Sequence, residues 1–530
     1  MHIPLTPIRC LYRAVDLYGR KIGVVSGDSR FTYAQFGERC ERLAFGLLSE
    51  GIRPGDRVAY LSFNTHQLLE GYYGVPLVRG IVMPLNVRLT PPELIEILTH
   101  SGARMLIFEN DFVPVVETIR KSCRAIERCV TTNDPVPQAD FTYEELLSRG
   151  RIERPDIFSF DENEIAELFY TSGSTGTPKG VMLSHRTIYL HALGVTGSIT
   201  QVDSFVELHT IPLFHANGWG RPQTAVLNGI KQVMVRRFDP AHVLRLVQEE
   251  KATGMSLVPV MANALLNCPE LGRFDVSSLR EIHLGGAAAS PELIARMEQA
   301  FHCHVMAGYG LTETSPVATS ACDKDTVQYR DEPDRLHHRA MAGWPIIGNE
   351  IRVVDAQMRD VPQDMQTIGE IVIRGDNVMD GYYDDPQATS AVLVNGWLRT
   401  GDMAVWDEEN YIHIVDRKKD IIISGGENIS SIEVEKAIFA HPAVLECAVV
   451  AAPDAAWGEV PVAIVVLKPE KQLGSDELLA FLRSRLAKFK LPRLIDFVPG
   501  PLPKTGTGKI LKRELREPFW SGKERRVQGI

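Results

Sequence analysis

Short apolar runs alternate with helical patterns along most of this chain, and that alternation points to a layered α/β architecture. Val58-Ala59-Tyr60-Leu61 and Met105-Leu106-Ile107-Phe108 have the length and apolarity of buried strands. Between them, Thr90-Pro91-Pro92-Glu93 reads as a capping box that opens a helix running to Leu98. Comparable runs recur at Gln232 to Arg236, Glu281 to Leu284 and Cys303 to Ala307. Each reaches a glycine-rich or polar turn, the place where open α/β sheets hold their ligands.

At 530 residues the chain is too long for one small core. After Gly369 the pattern becomes more strand-like, through Glu370 to Arg374 and Tyr411 to Val415, and it ends at the charged run Asp416-Arg417-Lys418-Lys419-Asp420. The sequence predicts a large N-terminal domain, residues 1–416, and a small α+β C-terminal domain, residues 417–530. The latter should hold helices from Ser431 and Ser475 and strands near Ala448 and from Val462 to Leu467.

A formal net charge of -10 argues against a nucleic-acid-binding surface. Eight cysteines without CxxC spacing fit reduced thiols better than a disulfide framework. In His302-Cys303-His304, alternation on a strand would place at most two metal ligands on one face, so these residues are expected beside a core. The first residues lack a basic and apolar leader, no uncharged run is long enough to span a bilayer, and the chain does not end in Ser-Lys-Leu. No transmembrane segment and a cytoplasmic location are the expectations.

The most informative segment is Tyr170-Thr171-Ser172-Gly173-Ser174-Thr175-Gly176-Thr177-Pro178-Lys179-Gly180. Glycines admit close backbone approach, hydroxyls add donors and Lys179 adds charge, which together suit a polyphosphate. The segment is not a Walker A loop, because Pro178 stands where the second glycine is required. It resembles the phosphate loop of the adenylate-forming superfamily, which includes acyl-CoA synthetases, nonribosomal peptide adenylation domains and luciferases. The resemblance continues in order through His283-Leu284-Gly285-Gly286-Ala287, Gly308-Tyr309-Gly310-Leu311-Thr312-Glu313-Thr314, Gly343-Trp344-Pro345, Gly401-Asp402, Asp416-Arg417, Gly425-Gly426-Glu427-Asn428 and Pro503 to Lys509.

The resemblance implies the fold and a set of roles. Tyr309 would stack on adenine beside the Gly285-Gly286-Ala287 turn. Thr312 and Glu313 would contact phosphate and Mg²⁺, since a hard cation bridges carboxylate and phosphate oxygens. Asp402 would accept hydrogen bonds from the ribose diol, Arg417 would meet the nucleotide at the domain junction, and Lys419 would be the hinge. Lys509 would bridge the attacking carboxylate and the α-phosphate, and the Gly425-Gly426 loop would later line the CoA thiol's path as the small domain rotates. The cofactors implied are ATP, Mg²⁺ and CoA, and a homodimer is left open.

In the family, the acid pocket is formed by the segments matching Pro212 to Trp219 (with His215, Asn217, Gly218 and Trp219), Val258 to Leu265, Ala287 to Ala289 and Gly308 to Leu311 (with Gly308 and Gly310). An amino-acid-activating relative would place an aspartate within Phe214 to Asn217 to pair the substrate ammonium, and none is present. Small residues leave room for an alkyl chain, at roughly 0.8 kcal/mol per buried methylene. The Phe214 to Gly220 string resembles the medium-chain fatty acyl-CoA synthetases, so a medium- or long-chain fatty acid is expected, with His215 and Trp219 as pocket gates. The alternatives are an aryl-CoA ligase for benzoate- or cinnamate-like acids, an enzyme that loads a carrier protein, and a nonenzymatic nucleotide-binding regulator.

Overall fold

The computed structural model describes residues 3–171, 178–198, 202–424, 427–454, 457–504 and 510–520. The chain divides into two compact units, Met1–Ile351 with Ile373–Leu398, and Arg352–Val372 with Arg399–Ile530. It passes between them along the strands Asn349–Val354, Gly369–Gly375 and Trp397–Trp406.

The large unit is built on two sheets. In the nine-stranded sheet, Ile22–Ser26, Lys231–Met234, Val206–His209, Gly254–Leu257, Glu281–Leu284 and His304–Gly310 run parallel in that spatial order. In the eight-stranded sheet, Ile165–Thr171, Ile81–Pro84, Arg57–Leu61, Met105–Phe108 and Arg128–Thr131 run parallel, and Lys179–Ser184 and Gly381–Tyr382 add antiparallel strands at one side. All four residues of Met105–Phe108 are buried, as expected for a strand covered by helices on both faces.

Local signals explain many boundaries. The Glu93 carboxylate accepts from the Thr90 backbone N–H at 2.7 Å, so the capping box opens the helix Pro91–Ser101, which ends at left-handed Gly102. One expectation is corrected. His302 is not on a strand with His304: it is the left-handed cap, φ +51°, that ends the helix Pro291–Phe301, and the strand begins at His304. The period-two argument for those histidines therefore does not apply.

In the small unit, Val444–Asp454 and Gly458–Leu467 form a long hairpin, extended by Ile422–Ser424 and Glu427–Ile429 on one side and by Leu494–Phe497 on the Gly458–Leu467 strand. The helices Ser431–Phe439 and Ser475–Arg483 cover it through Val434, Ile438, Leu478 and Leu482, all fully buried. Ser430 caps the first of these by accepting the Glu433 N–H at 3.1 Å. The helix Lys512–Trp520 is fixed by Lys512, which pairs with Glu435 at 2.8 Å, and by the Trp520 Nε1–H donated to the Ala451 carbonyl at 2.7 Å. Among the described residues no helix is long and apolar enough to cross a membrane.

Candidate active site

The phosphate-loop candidates begin where Ile165–Thr171 ends. Thr171 pairs across the hairpin with Lys179, the first residue of Lys179–Ser184. Ser172, Gly173, Ser174, Thr175 and Gly176 lie outside the described residues, as do Gly425, Gly426 and Lys509. The Lys179 ammonium sits 4.8 Å from the centroid of the Tyr382 ring. The Tyr382 hydroxyl donates to Glu313 Oε1 at 2.9 Å. Glu313 belongs to the single turn Thr312–Thr314, and its carbonyl accepts the Met379 N–H at 2.9 Å. Thr312 is buried within the same turn. The structure thus brings Lys179, Thr312 and Glu313 to one place and adds Tyr382, which sequence reasoning missed.

The pocket candidates converge around a pair of glycines. Leu284 and Ala307 are partners in parallel strands, which sets Gly285 beside Gly308. A Cβ on Gly285 would lie 3.0 Å from the Trp219 ring and 3.4 Å from the Gly308 carbonyl oxygen. On Gly286, at φ +73°, it would lie 3.1 Å from Val258 Cγ1 and 3.5 Å from the same ring. The Trp219 indole therefore rests on the Gly285-Gly286 turn, with exposed Ala287 next along the chain. Tyr309 and Gly310 follow Gly308 on the strand His304–Gly310, where Tyr309 pairs with Thr319.

Trp219 is held by unusual backbone. Ala216, Asn217, Gly218, Trp219 and Gly220 all have positive φ, from 46° to 69°. Left-handed backbone costs non-glycine residues about 1–2 kcal/mol each, so the surroundings must enforce it. They do so on both flanks: the Gly218 N–H donates to the His215 carbonyl at 3.2 Å, and the buried Arg221 guanidinium grips Glu207 with two hydrogen bonds, at 3.0 and 2.6 Å. His191 lies beneath Gly220, where any Cβ would collide with its ring. Burial pushes the His191 imidazole down to about 3, and its Nε2 accepts the Val317 N–H at 3.1 Å. Asn217 is buried, and its Oδ1 has no hydrogen-bond partner among the described residues.

In the small unit, Asp402 and Arg417 are cross-strand partners, and Arg417 Nε meets Asp402 Oδ1 at 2.6 Å. Asp402 is buried, whereas Arg417 is 42% exposed. Next to them, buried Asp416 accepts the Arg417 N–H at 2.7 Å and the Ser431 N–H at 2.6 Å. Burial raises the carboxyl pKa of Asp416, and the same cause raises that of Glu435. Lys419 is exposed, and its carbonyl accepts from Arg516 at 3.0 Å.

The pattern of the AMP-binding enzyme family matches residues 11–383, and that of the AMP-binding enzyme C-terminal domain matches residues 433–509. The chain belongs to the AMP-binding enzyme family. Within that family it is 40% identical to a long-chain-fatty-acid–CoA ligase of Thermus thermophilus, over 96% of this chain and 94% of that one. Its fold is similar to the crystal structure of anthranilate CoA ligase AuaEII in complex with anthranoyl-AMP, with 25% identity, a TM-score of 0.86 and 98% of each chain covered. It is equally similar to ATP-bound MatB from Rhodopseudomonas palustris, with 26% identity, a TM-score of 0.85, and 98% and 99% of the two chains covered. The chain is an AMP-forming acid–thiol ligase, an acyl-CoA synthetase.

Proposed function

We propose that the enzyme activates a medium- or long-chain fatty acid as its acyl-adenylate and passes the acyl group to CoA, using the residues singled out from the sequence. The observation that carries this reading is the cluster of Lys179, Thr312, Glu313 and Tyr382, which offers a cation, a hydroxyl and a carboxylate at one turn. The acid's carboxylate oxygen attacks the α-phosphorus of ATP, forming the acyl–O–P bond and releasing pyrophosphate. The CoA thiol then attacks the acyl carbon, and AMP leaves with the bridging oxygen. Lys179 and Lys509 offset the negative charge that builds up in the first step.

Mg²⁺ fits the residues present. Glu313 commits Oε1 to Tyr382, and the protein's described residues hold no group of three or more metal-ligating side chains. A single carboxylate completed by substrate phosphates is the arrangement Mg²⁺ commonly adopts, and when bound it would neutralise phosphate charge. Asp402 and Arg417 are assigned to the ribose and the nucleotide, Tyr309 to adenine, and Gly425-Gly426 to the CoA path, with Lys419 as the hinge between functional domains 1–416 and 417–530.

The substrate assignment rests on the small residues Gly285, Gly286 and Ala287 beside Trp219 and Val258, which leave room for an alkyl chain. A second reading has its own support. Trp219 beside two glycines offers a ring that a benzoate- or cinnamate-like acid could also pack against. Pyrophosphate release with ATP, Mg²⁺ and acids from two to eighteen carbons plus benzoate and cinnamate, with and without CoA, tests both. Turnover that needs CoA and peaks with a C8–C18 acid supports the proposal. A peak with the aromatic acids replaces the substrate class, and no acid-dependent release from folded, ATP-binding protein sinks the enzyme reading.

A further inference from the structure

The large unit contains several buried tyrosines, and the hydroxyls of three of them do the same job. Tyr33 donates to the Ile230 carbonyl at 2.5 Å, Tyr72 to Leu213 at 2.7 Å and Tyr73 to Pro222 at 3.3 Å. These satisfy a polar atom by closing onto backbone, as a core tyrosine should. Tyr143 reaches a carboxylate, Glu70, yet that carboxylate is already paired with Arg39 and His66.

Tyr382 is different. It is 8% exposed, its hydroxyl addresses a carboxylate with which no described cation pairs, and its ring face carries an ammonium with which no described carboxylate pairs. Strand register explains the arrangement. Tyr382 lies opposite Val181 in the pairing of Gly381–Tyr382 with Lys179–Ser184, so Lys179 is its diagonal neighbour on the same face. The Tyr383 N–H donated to the Gly180 carbonyl at 2.7 Å and the Met379 N–H donated to the Glu313 carbonyl at 2.9 Å fix both neighbours' backbones to this segment. Thr389 Oγ1 accepts the Tyr382 N–H at 2.9 Å from the other side.

We infer that Tyr382 is a positioning residue for the phosphate site: its ring holds the Lys179 ammonium and its hydroxyl orients the Glu313 carboxylate, so that the two charges meet the nucleotide without neutralising each other. A lysine and a glutamate this close would otherwise be free to pair directly, which would remove a phosphate ligand and a metal ligand together. The inference deepens the proposed function and rests on the roles assigned there to Lys179 and Glu313. It assigns separate tasks to the two ends of one side chain, and those tasks can be removed one at a time.

Equilibrium ATP binding by calorimetry, in EDTA and in Mg²⁺, should be measured for Tyr382→Phe, Tyr382→Leu, Lys179→Met, Glu313→Gln and the double variant Tyr382→Phe/Glu313→Gln, alongside thermal unfolding. Tyr382→Phe keeps the ring, so metal-free affinity should stay within about twofold of the parent, while the gain on adding Mg²⁺ should fall by about tenfold, the worth of a hydrogen bond to a charged group. Tyr382→Leu should also weaken metal-free binding about three- to tenfold, in the direction of Lys179→Met. On the Glu313→Gln background, Tyr382→Phe should have no further effect.

An additive loss in the double variant would overturn the inference, as would parental Mg²⁺ dependence in Tyr382→Phe. If Tyr382→Leu does not fold, Tyr382→Phe and the double variant still decide it. Parental binding in both Lys179→Met and Glu313→Gln would overturn it by a different route, by removing the site reading beneath it.

Discussion

In the large unit, Lys179 and Glu313 meet through a tyrosine, the cation on its ring face and the carboxylate on its hydroxyl. In the small unit, Asp402 and Arg417 meet directly, Nε to Oδ1 at 2.6 Å. Separated charges are available to an incoming phosphate at once. A paired carboxylate must share or release its guanidinium before it can accept hydrogen bonds from a diol. The two arrangements therefore predict different responses to the loss of one partner: lost ligand binding in the first, and a weakened folded unit in the second, where buried Asp402 would lose the guanidinium it meets at 2.6 Å.

The largest expected contrast between the units appears in acid. Burial holds His185 at about 4, His191 at about 3 and His209 at about 4, all in the large unit. Below pH 6.5 the unfolded chain binds protons that these folded imidazoles refuse, so stability falls as pH drops from 6.5 toward 4, by about 4 kcal/mol per pH unit for the three together. Raised carboxyls have the opposite sign, because the folded state takes up protons first and stability rises as pH falls: Glu167, Glu41 and Asp380 offset part of the histidine effect in the large unit, and Asp416 and Glu435 act this way in the small unit. Hydrogen exchange resolved by segment, from pH 7 to pH 5, should show the large unit loosening first. Earlier opening of Val444–Asp454 and Gly458–Leu467 would break the contrast.

Next in size is Lys179→Met, expected to lower acid-dependent pyrophosphate release by about 10²–10³-fold with little change in unfolding temperature, as for other losses of a preorganised charge. A loss below tenfold would mean that the ammonium over Tyr382 is structural. Arg417→Met should do the reverse in kind. It should destabilise the small unit by about 1–3 kcal/mol in denaturant unfolding, at the low end of a broken buried pair because Arg417 is partly in solvent. Unchanged stability would show that Asp402 is content without it.

Much of this was legible in the sequence, and the exceptions have a common cause. Runs such as Met105–Phe108 and Glu281–Leu284 and the Thr90-Glu93 cap depend on neighbours in the chain, and they appear where expected. The glycine, hydroxyl and lysine string was readable because its chemistry is contiguous. Tyr382 was not, since its position follows from pairing with Val181, some two hundred residues earlier. Nor was the Glu207–Arg221 pair, which joins the strand Val206–His209 to the end of a left-handed loop. His302 was misassigned because helix termination by a left-handed residue is set by backbone geometry, and histidine is a tolerable choice there.

The smallest effect concerns the pocket. Gly285→Ala would press a methyl against Trp219 at 3.0 Å, a contact that requires the indole to move by a few tenths of an ångström. Activity on the best acid should fall only about two- to fivefold, for a cost near 1 kcal/mol, while the preferred chain length shortens. A proportionate loss with every acid would place that glycine away from the acyl chain.

The most direct test of the central claim follows the oxygen. Acid labelled with ¹⁸O in its carboxylate, turned over with ATP and CoA, should deliver one labelled oxygen to AMP and none to pyrophosphate, because the carboxylate oxygen that attacks the α-phosphorus stays on it when the thiol displaces AMP. Unlabelled AMP, or label appearing in phosphate together with ADP, would contradict an acyl-adenylate and with it the account of this site.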